Sequence, residues 1–236
     1  MNVTQISSPT PRILPTRPAP TDLVAQLATV PGLVRPGTSH WDHTDRLPLH
    51  PLSVENAYEN PALLRTLAAR GAGIAERMDA EIIVGGETGG IPLATAISLT
   101  AGLPFAFVRK PGYVGHEDHE PRVRGAAAAG RRVLLVDDAV STGNAIDAFA
   151  AELRNEGATV VGVFTVVDMR DVSNPINPAA AALPIHSITS YLTLLDAATD
   201  QGVLNPTTHD LAVDALLNNW NDDDPRWQYL DHPAAA

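Results

Sequence analysis

Val133-Leu134-Leu135-Val136-Asp137-Asp138-Ala139-Val140-Ser141-Thr142-Gly143-Asn144 is the stretch whose reading decides the architecture. Val133 to Val136 is an unbroken apolar run, the pattern of a strand buried on both faces. Two carboxylates, Asp137 and Asp138, stand at its carboxyl end. Small and hydroxyl-bearing residues then make a turn, and Ser141 to Glu156 reads as a helix. Ile146, Phe149, Ala150 and Leu153 fall there at i, i+3, i+4 and i+7, and Gly157 sits at the end. Strand, turn and helix in this order build a parallel sheet, and open sheets of that kind bind ligands beyond the carboxyl ends of their strands.

The alternation continues in both directions. Upstream, Asn60-Pro61 reads as an N-cap followed by a first-position proline. The helix it opens buries Leu63, Leu64, Leu67 and Ile74, with Gly71 and Gly73 weakening its middle. Glu81 to Val84 is a short buried strand, Gly85 to Gly90 a glycine-rich turn, Ile91 to Thr100 a helix closing near Gly102, and Phe105 to Val108 the next strand. Residues 109–130 carry no period and read as a long loop with one helical turn at Ala126 to Ala129. Downstream, Thr159 to Val167 and Pro184 to Ile188 read as strands and Thr189 to Ala198 as a helix. The expected class is α/β, a mainly parallel sheet with helices on both faces. Residues 1–20 hold five prolines and no hydrophobic period, the signature of a disordered or draped tail. A short helix is expected over Thr21 to Val30 and mostly loop over 31–58. The divisions read here are a tail (1–20), an N-terminal region (21–58), a core (59–200) and a C-terminal extension of unassigned role (201–236).

The turn after Asp138 is chemically specific. Small residues let backbone N–H groups approach a phosphate, the helix N-terminus adds the favourable end of its dipole, and Ser141 and Thr142 add hydroxyl donors. Asp137 and Asp138 supply acceptors for sugar hydroxyls about one sugar's width away. A ribose 5-phosphate satisfies both sets. No Gly-Lys-Ser/Thr is present, so this is not a Walker loop.

VLLVDDAVSTGN resembles the 5-phosphoribosyl-1-pyrophosphate (PRPP) signature of the type I phosphoribosyltransferases. That resemblance implies that Asp137 and Asp138 hold the ribose hydroxyls and help stabilise the positive charge growing on C1, and that Ser141, Thr142, Gly143, Asn144 and Ala145 bind the 5-phosphate. Ala145 stands where many members carry a hydroxyl residue. Gly85 to Pro92 resembles the family's pyrophosphate loop, and especially the GGIP-like run of orotate phosphoribosyltransferases. It implies pyrophosphate contacts from Glu87, Thr88, Gly89 and Gly90, joined by Arg109 and Lys110 at the end of the following strand. In the family a long loop then closes over the site and excludes water, a role for which residues 111–125 have the length and polarity. Lys110 is the only lysine in the chain, so the further loop lysine of the orotate enzymes is missing; the resemblance then implies either slower activity or leaving-group protonation by His116 or His119. The looser His116, Asp118, His119 cluster reads as loop rather than as a metal site. The metal that the resemblance implies is a Mg²⁺ arriving with PRPP.

The resemblance spans roughly residues 60–196 and leans toward orotate phosphoribosyltransferase. Val160 to Asp168 and Pro184 to Leu195 look like that enzyme's late strands and closing helix. Its base-holding arginine directly follows the aspartate; here Met169 intervenes and Arg170 is the candidate. Residues 21–58 would form a small substrate hood, in which Trp41 reads first as core or surface packing and second as a candidate for stacking on a base. Orotate or a related pyrimidine leads as acceptor, followed by a purine or specialised base. The rival is a PRPP-sensing regulator that keeps the phosphate loops without catalysis. Family expectation also adds a homodimer.

Composition bounds these readings. The chain has 236 residues, 44% of them hydrophobic, and no cysteine, which removes disulfides, thiolate metal sites and a cysteine nucleophile. A net charge of -11 disfavours nucleic acid as a partner, while local cations cluster at Arg109, Lys110, Arg122, Arg124, Arg131 and Arg132. Without a signal-peptide pattern, or a run near the roughly 18 apolar residues of a membrane span, the expectation is a cytoplasmic protein with no membrane partner.

Overall fold

A computed structural model of the chain describes residues 22–34, 52–110, 122–170 and 177–218. Its centre is a sheet of seven strands: β1 (Ile82–Gly86), β2 (Phe105–Val108), β3 (Val123–Gly125), β4 (Arg132–Val136), β5 (Ala139–Val140), β6 (Thr159–Asp168) and β7 (Ile185–Ser190). The spatial order is β3-β2-β1-β4-β6, with β5 and β7 both paired to β6. Because β5 and β7 both pair with Val167 and Asp168, they take opposite edges of β6, so β5 continues the line of β4. Every pairing is parallel except β2 with β3.

The apolar runs of β1 and β4 have a simple cause, since both faces of the sheet are covered. Side chains alternate between the two faces along a strand. Ile83, Leu134 and Val136 join a core built with α1 (Asp22–Ala28), α2 (Pro61–Arg77), α3 (Gly90–Ala101) and α6 (Tyr191–Asp200). Ile82, Val84, Val133 and Leu135 join the opposite core, with α4 (Asn144–Asn155) and α5 (Pro178–Ala181). The α/β class and the mainly parallel sheet are those expected. Gly71 costs helix propensity but has a packing reason: a Cβ there would run into the Ile97 side chain of α3. The cap at Asn60 forms as read, its side chain accepting from Ala62 N–H and Leu63 N–H at 3.0 and 3.2 Å.

Several boundaries differ from the sequence reading. Residues 109–130 contain β3, whose three residues pair with the edge of β2, and Ala126 to Ala129 are not helical. The helix after the acid pair begins at Asn144, not Ser141, because Gly143 sits at φ +85° and breaks the helical path. β7 runs on to Ser190, whose hydroxyl accepts from Thr193 N–H (3.2 Å) and starts α6 at Tyr191. A last helix, α7 (Pro206–Asn218), lies where no element was expected and is tied to α6 by His209 Nε2 and Asp196 Oδ1 at 2.8 Å. Arg132, counted among the clustered cations, does a structural job: its guanidinium donates to the Met78 and Asp79 carbonyls just past the end of α2.

Candidate active site

Parallel pairing brings the ends of β2, β1 and β4 side by side, Gly86 against Val108 and Gly85 against Val136. The segments leaving those ends therefore converge. Glu87 N–H donates to Val108 O at 3.0 Å, and the Glu87 carboxylate accepts the Lys110 backbone N–H at 3.0 Å. Gly89 and Gly90 lie directly on the acid pair: a Cβ on Gly89 would strike the Asp138 carboxylate, and one on Gly90 would strike the Val136 carbonyl and Asp137. The glycines thus let the loop backbone rest against the acids. The Glu87–Thr88 peptide is cis.

The two acids are not equivalent. Asp137 is only 6% exposed, whereas Asp138 is half-buried. Asp137 N–H donates to Phe164 O (3.0 Å), and its Oδ1 accepts from Asp138 N–H (3.1 Å). Burial, and next the charge of Asp138, hold the Asp137 carboxyl well above the usual carboxylate range, with Lys110 among the opposing influences. Asp138 Oδ1 accepts from Ala139 N–H at 2.8 Å. Tyr58, from a 3-10 turn at Val54–Glu59, reaches into the same place and donates its hydroxyl to Gly89 O at 3.3 Å. Burial, then the nearby charges of Asp138, Asp137 and Glu55, keep that phenol far above its ordinary range, so it remains a protonated donor.

The phosphate turn follows β5. Ser141 and Thr142 are half-buried, Gly143 is buried, and Asn144 and Ala145 are exposed at the start of α4. Gly143 is obligatory twice over: its φ is left-handed, and a Cβ would come 2.5 Å from Ala180 Cβ. The chain after β6 returns to this turn, and Asn177 N–H donates to Thr142 O at 2.7 Å. Sequence reasoning missed both Tyr58 and Asn177. For Asn177 the signal was present, since Asn177-Pro178 repeats the Asn60-Pro61 capping pattern. For Tyr58 there was none beyond its residue type.

Arg170, the candidate for holding a base, folds back on Asp168. Its Nε lies 3.0 and 3.1 Å from the two carboxylate oxygens and its terminal nitrogen 2.7 Å from Oδ2, with both side chains partly exposed. His116, Asp118, His119 and Trp41 lie outside the described residues. Among the described residues no three metal-binding side chains cluster, and no helix is long and apolar enough to cross a membrane.

Residues 53–181 match the family model of the phosphoribosyl transferase domain. An orotate phosphoribosyltransferase of Streptococcus pneumoniae serotype 19F is 30% identical over 153 residues, which cover 64% of this chain and 68% of that protein. One from Pyrobaculum islandicum is 29% identical over 151 residues, covering 63% of this chain and 76% of its own. Among solved structures, Leishmania donovani UMP synthase shares the fold with a TM-score of 0.69 at 21% identity, covering 84% of this chain. This chain spans only 42% of the UMP synthase chain.

Proposed function

The chain belongs to the type I phosphoribosyltransferases, and from that premise we propose that it carries phosphoribose from PRPP to orotate or a related pyrimidine. The observation that supports the assignment of its site is the convergence described above. A half-buried carboxylate, Asp138, is pressed under Gly89 in a glycine turn, beside the Arg109-Lys110 strand end, and the Ser141 to Gly143 turn that follows the acids by a short strand opens α4. The orotate lean rests on the relatives' names at about 30% identity.

In this reading Ser141 to Ala145 hold the 5-phosphate and Asp138, with Asp137 beneath it, faces the ribose hydroxyls. Glu87 to Gly90, Arg109 and Lys110 receive the pyrophosphate. The bond from C1 to the pyrophosphate oxygen breaks as the bond from C1 to a ring nitrogen forms. The ring nitrogen gives up its proton, and the departing pyrophosphate gains one with His116 assisting. Positive charge on C1 peaks while both bonds are partial, and fixed carboxylate charge stabilises it there. The donor set suits a Mg²⁺ that arrives on PRPP, because Mg²⁺ keeps phosphate and water ligands and takes few from protein; the half-buried Asp138 is the carboxylate that would face it. Such an ion would offset pyrophosphate charge. Arg170 would meet the acceptor's carboxylate by exchanging Asp168 for it.

The test is pyrophosphate release from PRPP and Mg²⁺ against orotate, uracil, adenine, guanine, hypoxanthine and xanthine. Release should depend on orotate and fall about 10²–10³-fold in Asp138→Asn. Dependence on a purine would replace the acceptor. PRPP binding without release for any base would favour the regulator, the reading suggested by a chain whose only lysine is Lys110.

A further inference from the structure

We propose that Asn177 is a positioning residue for the 5-phosphate turn, holding residues 142–144 in their anion-binding shape before a ligand arrives. The inference rests on the assignment of Ser141 to Ala145 as the phosphate site.

Asn144 N–H reaches Thr142 Oγ1 at only 3.4 Å, and Asp147 N–H to Gly143 O (2.9 Å) belongs to the first turn of α4. Asn177 adds contacts from outside the turn. Its backbone N–H donates to Thr142 O at 2.7 Å. Its side-chain Nδ2 donates to Asn144 Oδ1 at 3.1 Å and to Asp147 Oδ2 at 3.3 Å, while its Oδ1 accepts Ala179 N–H at 2.9 Å and caps α5. These partners fix the amide's orientation, since a carboxylate only accepts and a backbone N–H only donates. Ala180, one turn into α5, fills the space where Gly143 has no side chain. One residue therefore ties the end of the turn, the first residue of α4 and the acid in its first turn to a separate element. If the turn must otherwise sample other shapes, apparent affinity for the phosphate falls by the fraction of molecules in the competent one.

Three variants test this, with the PRPP dissociation constant, the steady-state constants and the melting temperature measured for each. Asn177→Ala should raise the KM and Kd for PRPP about tenfold, with kcat and the acceptor KM close to wild type, as expected for lost ground-state positioning. Asn177→Asp keeps the acceptor that caps α5 but cannot donate and faces Asp147. It should stay folded at the assay temperature and yet bind PRPP no better than the alanine variant. Adding Asp147→Asn to Asn177→Asp restores a donor–acceptor pair and should recover part of the affinity. Wild-type affinity in a folded Asn177→Asp protein overturns the proposal, as does an affinity loss that only tracks melting. A wild-type protein that binds no PRPP defeats the phosphoribosyl site itself, and this inference with it.

Discussion

Gly89→Ala is the sharpest test of how the glycine turn and the acids work together. Gly89 has φ −64° and ψ −30°, a conformation alanine adopts freely, so the substitution introduces no backbone penalty of its own. The conflict is steric: the new methyl would clash with the Asp138 carboxylate, to which its three nearest atoms belong. Either Asp138 rotates away or the turn lifts. Rotation sacrifices the 2.8 Å bond to Ala139 N–H, and a hydrogen bond to a charged group is worth about 1.5–3 kcal/mol. Lifting the turn displaces the pyrophosphate donors. A reacting group misplaced by about 1 Å loses on the order of 10²-fold. Initial rates of pyrophosphate release should therefore show kcat/KM down about 10- to 100-fold. Stability should fall by no more than about 3 kcal/mol. If the effect runs through Asp138, the Gly89→Ala/Asp138→Asn protein should be little worse than Asp138→Asn alone, a non-additivity that marks a shared partner. Wild-type kcat/KM in Gly89→Ala, or fully additive losses, would refute the claim that the glycine exists to seat the turn on that carboxylate.

Two further substitutions address the acid below and the base site. The carboxyl of Asp137 is raised in the folded protein chiefly by burial, so between the unfolded value near 4 and that raised one the native state binds more protons and stability falls as pH rises. Asp137→Asn removes this and keeps an acceptor for Asp138 N–H. Melting curves from pH 4 to 8 should show the variant gaining on wild type as pH increases, while pyrophosphate release drops at least about tenfold; parallel melting curves would contradict the burial argument. Arg170→Ala should raise the KM for orotate about 10- to 100-fold, the scale of a lost charge-assisted pair, and leave that for PRPP unchanged. An unaltered orotate KM would mean that the pairing with Asp168 is structural and that the acceptor is held elsewhere.

Much of the architecture was legible because it is written in local pattern. Val133 to Val136 and Glu81 to Val84 are apolar at every core position, which only a strand covered on both faces tolerates, and both form central strands. Asn60-Pro61 and the i, i+3, i+4, i+7 series after Asn144 carry their own capping and periodicity. The acid pair and the two glycine-containing turns follow strands, and parallel pairing of those strands then brings them together. β3 was not legible, because three residues held by backbone pairing to an edge leave no side-chain period.

What the sequence by itself determined was the central strands, the helices that cover them and the chemistry at their ends, since these depend on neighbours a few residues away. What only the tertiary structure decided was which groups face one another. It buried Asp137 and left Asp138 half-exposed, and it brought the Tyr58 hydroxyl to Gly89 across 31 positions. It closed Arg170 on Asp168 and set Asn177 against Asn144 across 33 positions. Such contacts arise from the packing of loops against a finished sheet, and hydrogen bonds formed through space leave no periodic trace in the chain.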